Sequence, residues 1–167
     1  MPRGRKAFVF TAVASLWLVL DVMTKAFFEQ TQTLGNVVPG SEWGLIHFRL
    51  IHNTGAAWGM FGNSTQALGV LSLVVCAVLV LYLFVFHSRS SVGETIGLAL
   101  VFAGGLGNAI DRFVRGYVVD FIEATFIDFP IFNIADIGVT CGFVIFIAFL
   151  LYHEKKRTMP SRKEGEI

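Results

Sequence analysis

The sequence predicts an all-α membrane protein, a four-transmembrane-helix bundle carrying a small extracytoplasmic β-sheet at the outer membrane surface. Three observations carry that expectation. The 167-residue chain is 54% hydrophobic and only 15% charged, where soluble domains run at about 45–50% and about 25%. Four apolar stretches approach the roughly 20 residues that a helix needs to cross ~30 Å of hydrocarbon at ~1.5 Å per residue. Lys and Arg gather on one side of those stretches, as the positive-inside rule requires of a spanning protein.

The first stretch, 7–28, is apolar except for Asp21 and Lys25 near its far end. Its basic leader resembles a cleavable export signal, but the small residues Thr11 to Ser15 fall inside the apolar run, so a retained helix is expected. The second, 67–86, carries no charge. The third, 92–110, has Glu94 near its start and the small run Ala103-Gly104-Gly105. The fourth, 134–152, is apolar apart from Asp136. Arg3, Arg5, Lys6, Arg89, Lys155, Lys156, Arg157, Arg162 and Lys163 fall on one side, against Lys25, Arg49, Arg112 and Arg115 elsewhere. Both termini are therefore expected in the cytoplasm. Segments 29–66 and 111–133 then lie outside, and each contains an extended-looking run: Leu45-Ile46-His47-Phe48-Arg49-Leu50 and Gly116-Tyr117-Val118-Val119-Asp120-Phe121-Ile122. Neither segment is long enough for a separate unit, so 1–167 is expected to form one membrane-embedded domain.

Composition excludes several function classes. A net charge of +1 leaves no surplus for neutralising phosphates, so no nucleic acid is expected as a partner. Cys76 and Cys141 sit in apolar runs without a CxxC spacing and are expected to be buried small hydrophobes. His47 and His52 are five apart and are not expected to share a metal. No GxSxG elbow, HExxH pair or phosphate-cradling loop is present. Neither a metal nor a cofactor is expected.

The acids are unevenly placed. Eight of the twelve, including all five Asp, stand at or beyond the outer helix ends, and a carboxylate at that depth is a functional candidate because lipid makes it costly. Asp120 lies in the second extended run. Asp136 follows Asn133 by three residues, the spacing of a helix N-cap and its third residue, a role that would also hold the carboxylate rigidly at the membrane edge. Two carboxylates within reach of one another share a proton, so one can act as general base on water while the other protonates a carbonyl. In Gly104-Gly105-Leu106-Gly107-Asn108-Ala109-Ile110-Asp111-Arg112, Asn108, Asp111 and Arg112 share a helical face. That face reads either as helix packing with a local Asp–Arg pair or as a polar wall for a substrate backbone, the glycines leaving it room. Asp21 and Lys25, four apart, are expected to form an ion pair inside the bundle.

Five motifs in chain order resemble one family, the bacterial lipoprotein (type II) signal peptidases: Asp21-Val22-Met23-Thr24-Lys25; Asn53-Thr54-Gly55-Ala56-Ala57-Trp58; Gly104-Gly105-Leu106-Gly107-Asn108 with Asp111-Arg112; Val119-Asp120-Phe121; and Phe132-Asn133-Ile134-Ala135-Asp136. The chain departs from the family at Val22, where Gln is usual, and at Trp58, where Phe is commoner. The resemblance implies an aspartic endopeptidase of the bacterial inner membrane that removes the signal peptide from diacylglyceryl-modified prolipoproteins, cutting before the lipidated cysteine. It implies Asp120 and Asp136 as the catalytic pair, and Asn53, Gly55, Asn108, Arg112 and Asn133 as substrate-binding residues. Asp21, Lys25 and Asp111 follow as supports. Membrane lipid and globomycin-type inhibitors are the implied partners of a protein expected to be monomeric. Two alternatives use the same acids differently: a proton-coupled transporter, or a non-catalytic assembly factor docking a partner on the outer sheet.

Overall fold

The structure, a computed structural model, describes residues 1–41, 44–55, 64–87 and 90–158. Arg89, the Ala56-Ala57-Trp58 part of the second motif, and the basic tail with Arg162 and Lys163 lie outside the described residues.

Four helices are long and apolar enough to cross a membrane. They are α1 (Arg3–Thr31), α2 (Thr65–Leu81, prolonged by a wider turn over Tyr82–Phe86), α3 (Val92–Val114) and α4 (Ile134–Thr158). Each covers its expected stretch and runs past it at one or both ends. The middle position belongs to α3, with α1, α2 and α4 packed around it. Its glycines make this possible, since close helix approach in lipid depends on small residues at the contact. A Cβ on Gly97 would collide with the backbone of Gly142 and Phe146, and one on Gly104 with the carbonyl of Ala135. The room expected at Gly104 for a substrate backbone is thus taken by α4 itself. The outward faces of α1, α2 and α4 carry exposed Leu16, Leu71, Val78, Phe143 and Val144, as a lipid-facing surface should. Cys141 also faces outward, correcting its expected burial. An apolar run marks a helix as membrane-embedded but not which of its faces meets protein.

At one end of the bundle the start of α1 meets the end of α2. Lys6 Nζ donates to the carbonyls of Leu83 (3.0 Å) and His87 (2.8 Å), groups that the widened turn leaves available. A capping box between Ser91 and Glu94 opens α3 beside them.

The opposite end carries the sheet. Strand β1 (Ile46–Asn53) pairs antiparallel with β2 (Val118–Ala124), so both extended runs are strands. Ile51 stands opposite Asp120 and Asn53 opposite Val118, with a bulge between Phe48 and Ile51. Gly116, at φ +82°, follows the last turn of α3 and reverses the chain into β2. On the far edge of β2, Phe132 bridges Ile122 through backbone bonds of 2.8 and 3.0 Å. One face of the sheet docks on the end of α1, where Phe28 stacks on Phe121 with ring centroids 4.1 Å apart and Leu50 and Val119 fill the gap.

Candidate active site

Two backbone facts bring the distant acids together. Asp120 lies mid-strand in β2, and the Phe132 bridge places Asn133 and the start of α4 against that strand. Asn133 is the N-cap expected from its spacing. Its side-chain oxygen accepts from the Asp136 backbone N–H (3.0 Å), and its own N–H donates to Asp136 Oδ2 (3.1 Å). Its side-chain amide turns the other way and donates to Asp120 Oδ1 at 2.6 Å. Asp120 and Asp136 therefore share a partner and line one cavity of about 240 Å³, with Asn53, Asn108, Arg112, Val118 and the loop Phe129-Pro130-Ile131-Phe132.

Lysine at position 25 orients the amide next to Asp136. Its ammonium is only a donor, so the Asn108 atom facing it at 2.9 Å is the oxygen. That leaves Asn108 Nδ2 to donate to Asp136 Oδ1 at 2.8 Å. Asn53 is oriented in the same way: its oxygen accepts from the Gly55 N–H (3.0 Å), and its nitrogen donates to Asp120 Oδ2 (2.9 Å). Each candidate carboxylate thus receives two donors from groups that are themselves fixed.

Asp120 is only 2% exposed, not the solvent-facing strand acid that a short outer strand suggests. Burial pushes its pKa up to about 7, and the negative charge of Asp136 adds to the rise. Hydrogen bonds from Asn53 and Asn133 oppose it.

The support residues meet beneath the cavity. Lys25 pairs with Asp21 (2.9 Å) and Asp111 (3.1 Å), all three almost fully buried. Asp21 also accepts from the Ala135 N–H (3.0 Å) at the start of α4, a favourable place for an anion. A Cβ at Gly107 would occupy the space of that carboxylate. The Asp–Arg pair on α3 forms with a different arginine from the adjacent one: Asp111 binds Arg115 at 3.1 Å, one turn on. Arg112 instead borders the cavity, donating to the carbonyls of Asn108 (3.2 Å) and Gly55 (3.3 Å). Its Nε is buried with no partner among the described residues.

Of the ten residues singled out in the sequence, Asn53, Asn108, Arg112, Asp120 and Asp136 line the cavity, Gly55 and Asn133 are hydrogen-bonded to lining residues, and Asp21, Lys25 and Asp111 form the buried cluster that reaches it through Asn108. The sequence reading missed the apolar loop 129–132, whose signal was a run of apolar residues placed outside any span. It also missed a cluster behind β1: His52 Nε2 lies 3.0 Å from Glu29, Tyr117 donates to the same carboxylate at 2.9 Å, and the His52 and Tyr117 rings stack at 3.8 Å. Among the described residues no group of three or more potential metal ligands occurs.

A four-span bundle with two carboxylates on one cavity at its end defines a polytopic membrane protein with a polar site where the helices meet the sheet. The family model described as Signal peptidase (SPase) II matches residues 13–152. A lipoprotein signal peptidase of Nostoc punctiforme is 37% identical over 153 residues, covering 92% of this chain and 93% of its own. One from Enterococcus faecalis is 34% identical over 161 residues, covering 95% and 94%. A solved bacterial membrane enzyme, determined by the in meso method at 2.3 Å, superposes with a TM-score of 0.77 at 31% identity, covering 95% of this chain and 93% of that one. The chain belongs to the signal peptidase II family: it is a membrane peptidase acting on lipoprotein signal peptides. These matches favour the peptidase over the transporter alternative.

Proposed function

We propose that the protein is an aspartic endopeptidase in which Asp120 and Asp136 hydrolyse the bond preceding the diacylglyceryl-modified cysteine of a prolipoprotein. The observation that carries this reading is the joint presentation of both acids on one cavity, tied through Asn133. One carboxylate takes a proton from water as its oxygen attacks the scissile carbonyl, and the partner's proton passes to the carbonyl oxygen. The tetrahedral diol then collapses: the amine of the lipidated cysteine leaves with the proton held by the first carboxyl, as one hydroxyl returns its proton to the second. The elevated pKa of Asp120 supports a pair that holds one proton near neutrality. Arg112 Nε, Asn53 and Asn108 are suited to hold the substrate backbone, with Gly55 giving it close approach.

The start of α1 and the end of α2 lie at the end of the bundle away from the sheet, and Arg3, Arg5, Lys6, Lys155 and Lys156 belong to that end. This charge bias supports cytoplasmic termini and a site at the extracytoplasmic face of the bacterial inner membrane. We expect the monomer, in lipid, to process a diacylglyceryl-modified precursor and to be blocked by globomycin-type inhibitors. Asp120→Asn and Asp136→Asn are expected to abolish cleavage in folded, inserted protein. An undiminished rate in either variant would remove that acid from the mechanism.

A further inference from the structure

Trp17 and Asp21 stand four residues apart on one face of α1, and both reach across to the first turn of α4. The Trp17 indole donates from Nε1 to the Ile134 carbonyl at 3.1 Å, and Asp21 Oδ1 accepts the Ala135 N–H at 3.0 Å. That carbonyl and that N–H belong to one peptide unit, whose atoms lie in a single plane. Its two polar ends point in opposite directions along α4, so α1 holds the unit from both sides. Asp136 comes next, its Cα about 3.8 Å from the last atom of that plane. We infer that Trp17 is a positioning residue for Asp136, its indole N–H fixing the height and rotation of the turn that presents this acid to the cavity. The inference rests on the reading of Asp136 as one of the two catalytic acids.

The surroundings are shaped for this contact. A Cβ on Gly138 would collide with the indole nitrogen, so this glycine leaves the opening through which Trp17 reaches the carbonyl. Within a helix the Ile134 carbonyl serves the N–H four residues on, and its second lone pair takes the indole. An indole on a membrane helix more often anchors at the interface; here its N–H is committed to a neighbouring helix. α4 leans mainly on α3, and α1 touches it much less. The paired bonds to one peptide are therefore a large part of what α1 contributes to the placing of α4. On the α3 side Gly104 lies against the Ala135 carbonyl, so two helices grip the same turn. The Asn133 cap belongs to that turn and moves with it, stretching the bond from Asn133 to Asp120. A misplacement of ~1 Å costs a reaction up to about a hundredfold.

The test sets the donor against the bulk of the side chain. Trp17→Phe keeps much of the ring volume and has no N–H; Trp17→His is smaller, but its five-membered ring overlays that of indole and restores an N–H at the same place. Full-length protein in phosphatidylglycerol/phosphatidylethanolamine vesicles is given a dipalmitoylglyceryl-modified precursor, and kcat is referred to folded protein. Trp17→Phe is expected to lose about tenfold in kcat with KM nearly constant. Trp17→His is expected to recover most of that loss, although its melting temperature is the lower of the two. A residue that only fills space gives the reverse order, His slower than Phe, and that order, equal losses or wild-type rates in both would overturn the inference. Should Trp17→His not fold, the pH profile of Trp17→Phe decides. The Asp136 charge helps to hold the proton on Asp120, so an Asp136 freed to move away should shift the alkaline limb of kcat to lower pH. An unmoved limb rejects the role of Trp17. Asp136→Asn is assayed alongside. Cleavage by that variant removes Asp136 from the reaction and the inference with it; an inactive Asp136→Asn beside wild-type rates in both Trp17 variants removes the inference alone.

Discussion

Asn133 donates its side-chain amide to Asp120 at 2.6 Å, while its own backbone N–H and side-chain oxygen close a cap on Asp136. One fully buried residue therefore sets the separation of the two acids. Its amide nitrogen also reaches the Asn108 oxygen at 3.1 Å. Removing it leaves several buried partners short of a hydrogen bond, at about 1–3 kcal/mol for a group so stranded. Asn133→Ala is expected to lose at least about a hundredfold in kcat while lowering stability by an amount in that range. Asn133→Asp, which places a third carboxyl group between the acids, is expected to be as inactive. Steady-state kinetics beside thermal unfolding in detergent separates the two effects. A variant that keeps its kcat would show that the acids are held by something else.

The raised pKa of Asp120 makes a signed statement about pH. The folded protein binds a proton here from the ordinary carboxylate value of 3.8 up to about 7, where the unfolded chain has released it. Stability from this group is complete below the ordinary value and is lost as pH rises through the folded one. Asp120→Asn, permanently neutral, escapes the loss. Its melting temperature relative to wild type is expected to climb between about pH 4 and about pH 7 and to level off above that. Wild-type cleavage should decline above about pH 7 as the pair gives up its shared proton. A wild-type melting temperature that falls no faster than the variant's would contradict the buried, protonated Asp120.

Lys25 is the cation that lets Asp21 and Asp111 stay buried close together, 2.9 and 3.1 Å from its ammonium. Lys25→Met leaves two carboxylates without it, and breaking a buried pair by removing one partner costs about 3–5 kcal/mol. It also removes one of the two donors that orient the Asn108 oxygen, leaving the Asn133 amide alone to do so, and weakens the hold on the donor to Asp136. Poor folding yield and negligible activity are expected. Neutralising the stranded acids in Lys25→Met/Asp21→Asn/Asp111→Asn should recover yield and melting temperature but not full activity. Recovery of both would mean that Lys25 acts only on stability.

The spans, their order and the paired strands were legible in the sequence because each rests on local pattern: apolar length for the helices, β-branched and aromatic runs for the strands. The Asn133–Asp136 cap was legible for the same reason, being a contact three residues long. Facing was not. Gly104 meets the Ala135 carbonyl and Cys141 points away from the bundle, and neither fact is encoded within a single helix. The partners of Asp111 were left open because Lys25 comes from another helix, and because Arg112 and Arg115 differ in face, not in charge. The Glu29–His52–Tyr117 cluster joins α1, β1 and the turn before β2, so no motif of consecutive residues could have announced it.

Gly104 and Gly105 are neighbours on α3 with opposite surroundings. A Cβ on Gly104 would meet the Ala135 backbone carbonyl, which cannot yield without moving α4; a Cβ on Gly105 would stand 3.1 Å from the Cys76 sulfur, which can rotate. Gly104→Ala is expected to shift the start of α4, and Asp136 with it, costing about 1–3 kcal/mol as overpacking and most of the activity. Gly105→Ala is expected to change melting temperature and rate little. Comparable losses in the two variants would point to backbone flexibility of the pair and away from helix contact.

His52 sits one residue before Asn53, and paired strand positions share a face. His52, opposite Val119, looks toward α1, whereas Asn53, opposite Val118, looks toward Asp120. The Glu29 carboxylate and the stacked Tyr117 ring hold the back of the strand whose front presents the Asn53 amide. His52, with no contact to either acid, is thus expected to act through the position of Asn53. Its side chain is partly exposed, so its removal is expected to cost little stability, about 1 kcal/mol or less. The sharper expectation is kinetic: His52→Ala should lower kcat by about tenfold with KM nearly constant, because Asn53 no longer arrives in register. His52→Gln, which keeps a donor within reach of Glu29, should recover most of that loss. A residue that merely stabilised the sheet would lower the melting temperature and leave kcat per folded molecule unchanged. That outcome would place the latch outside the mechanism.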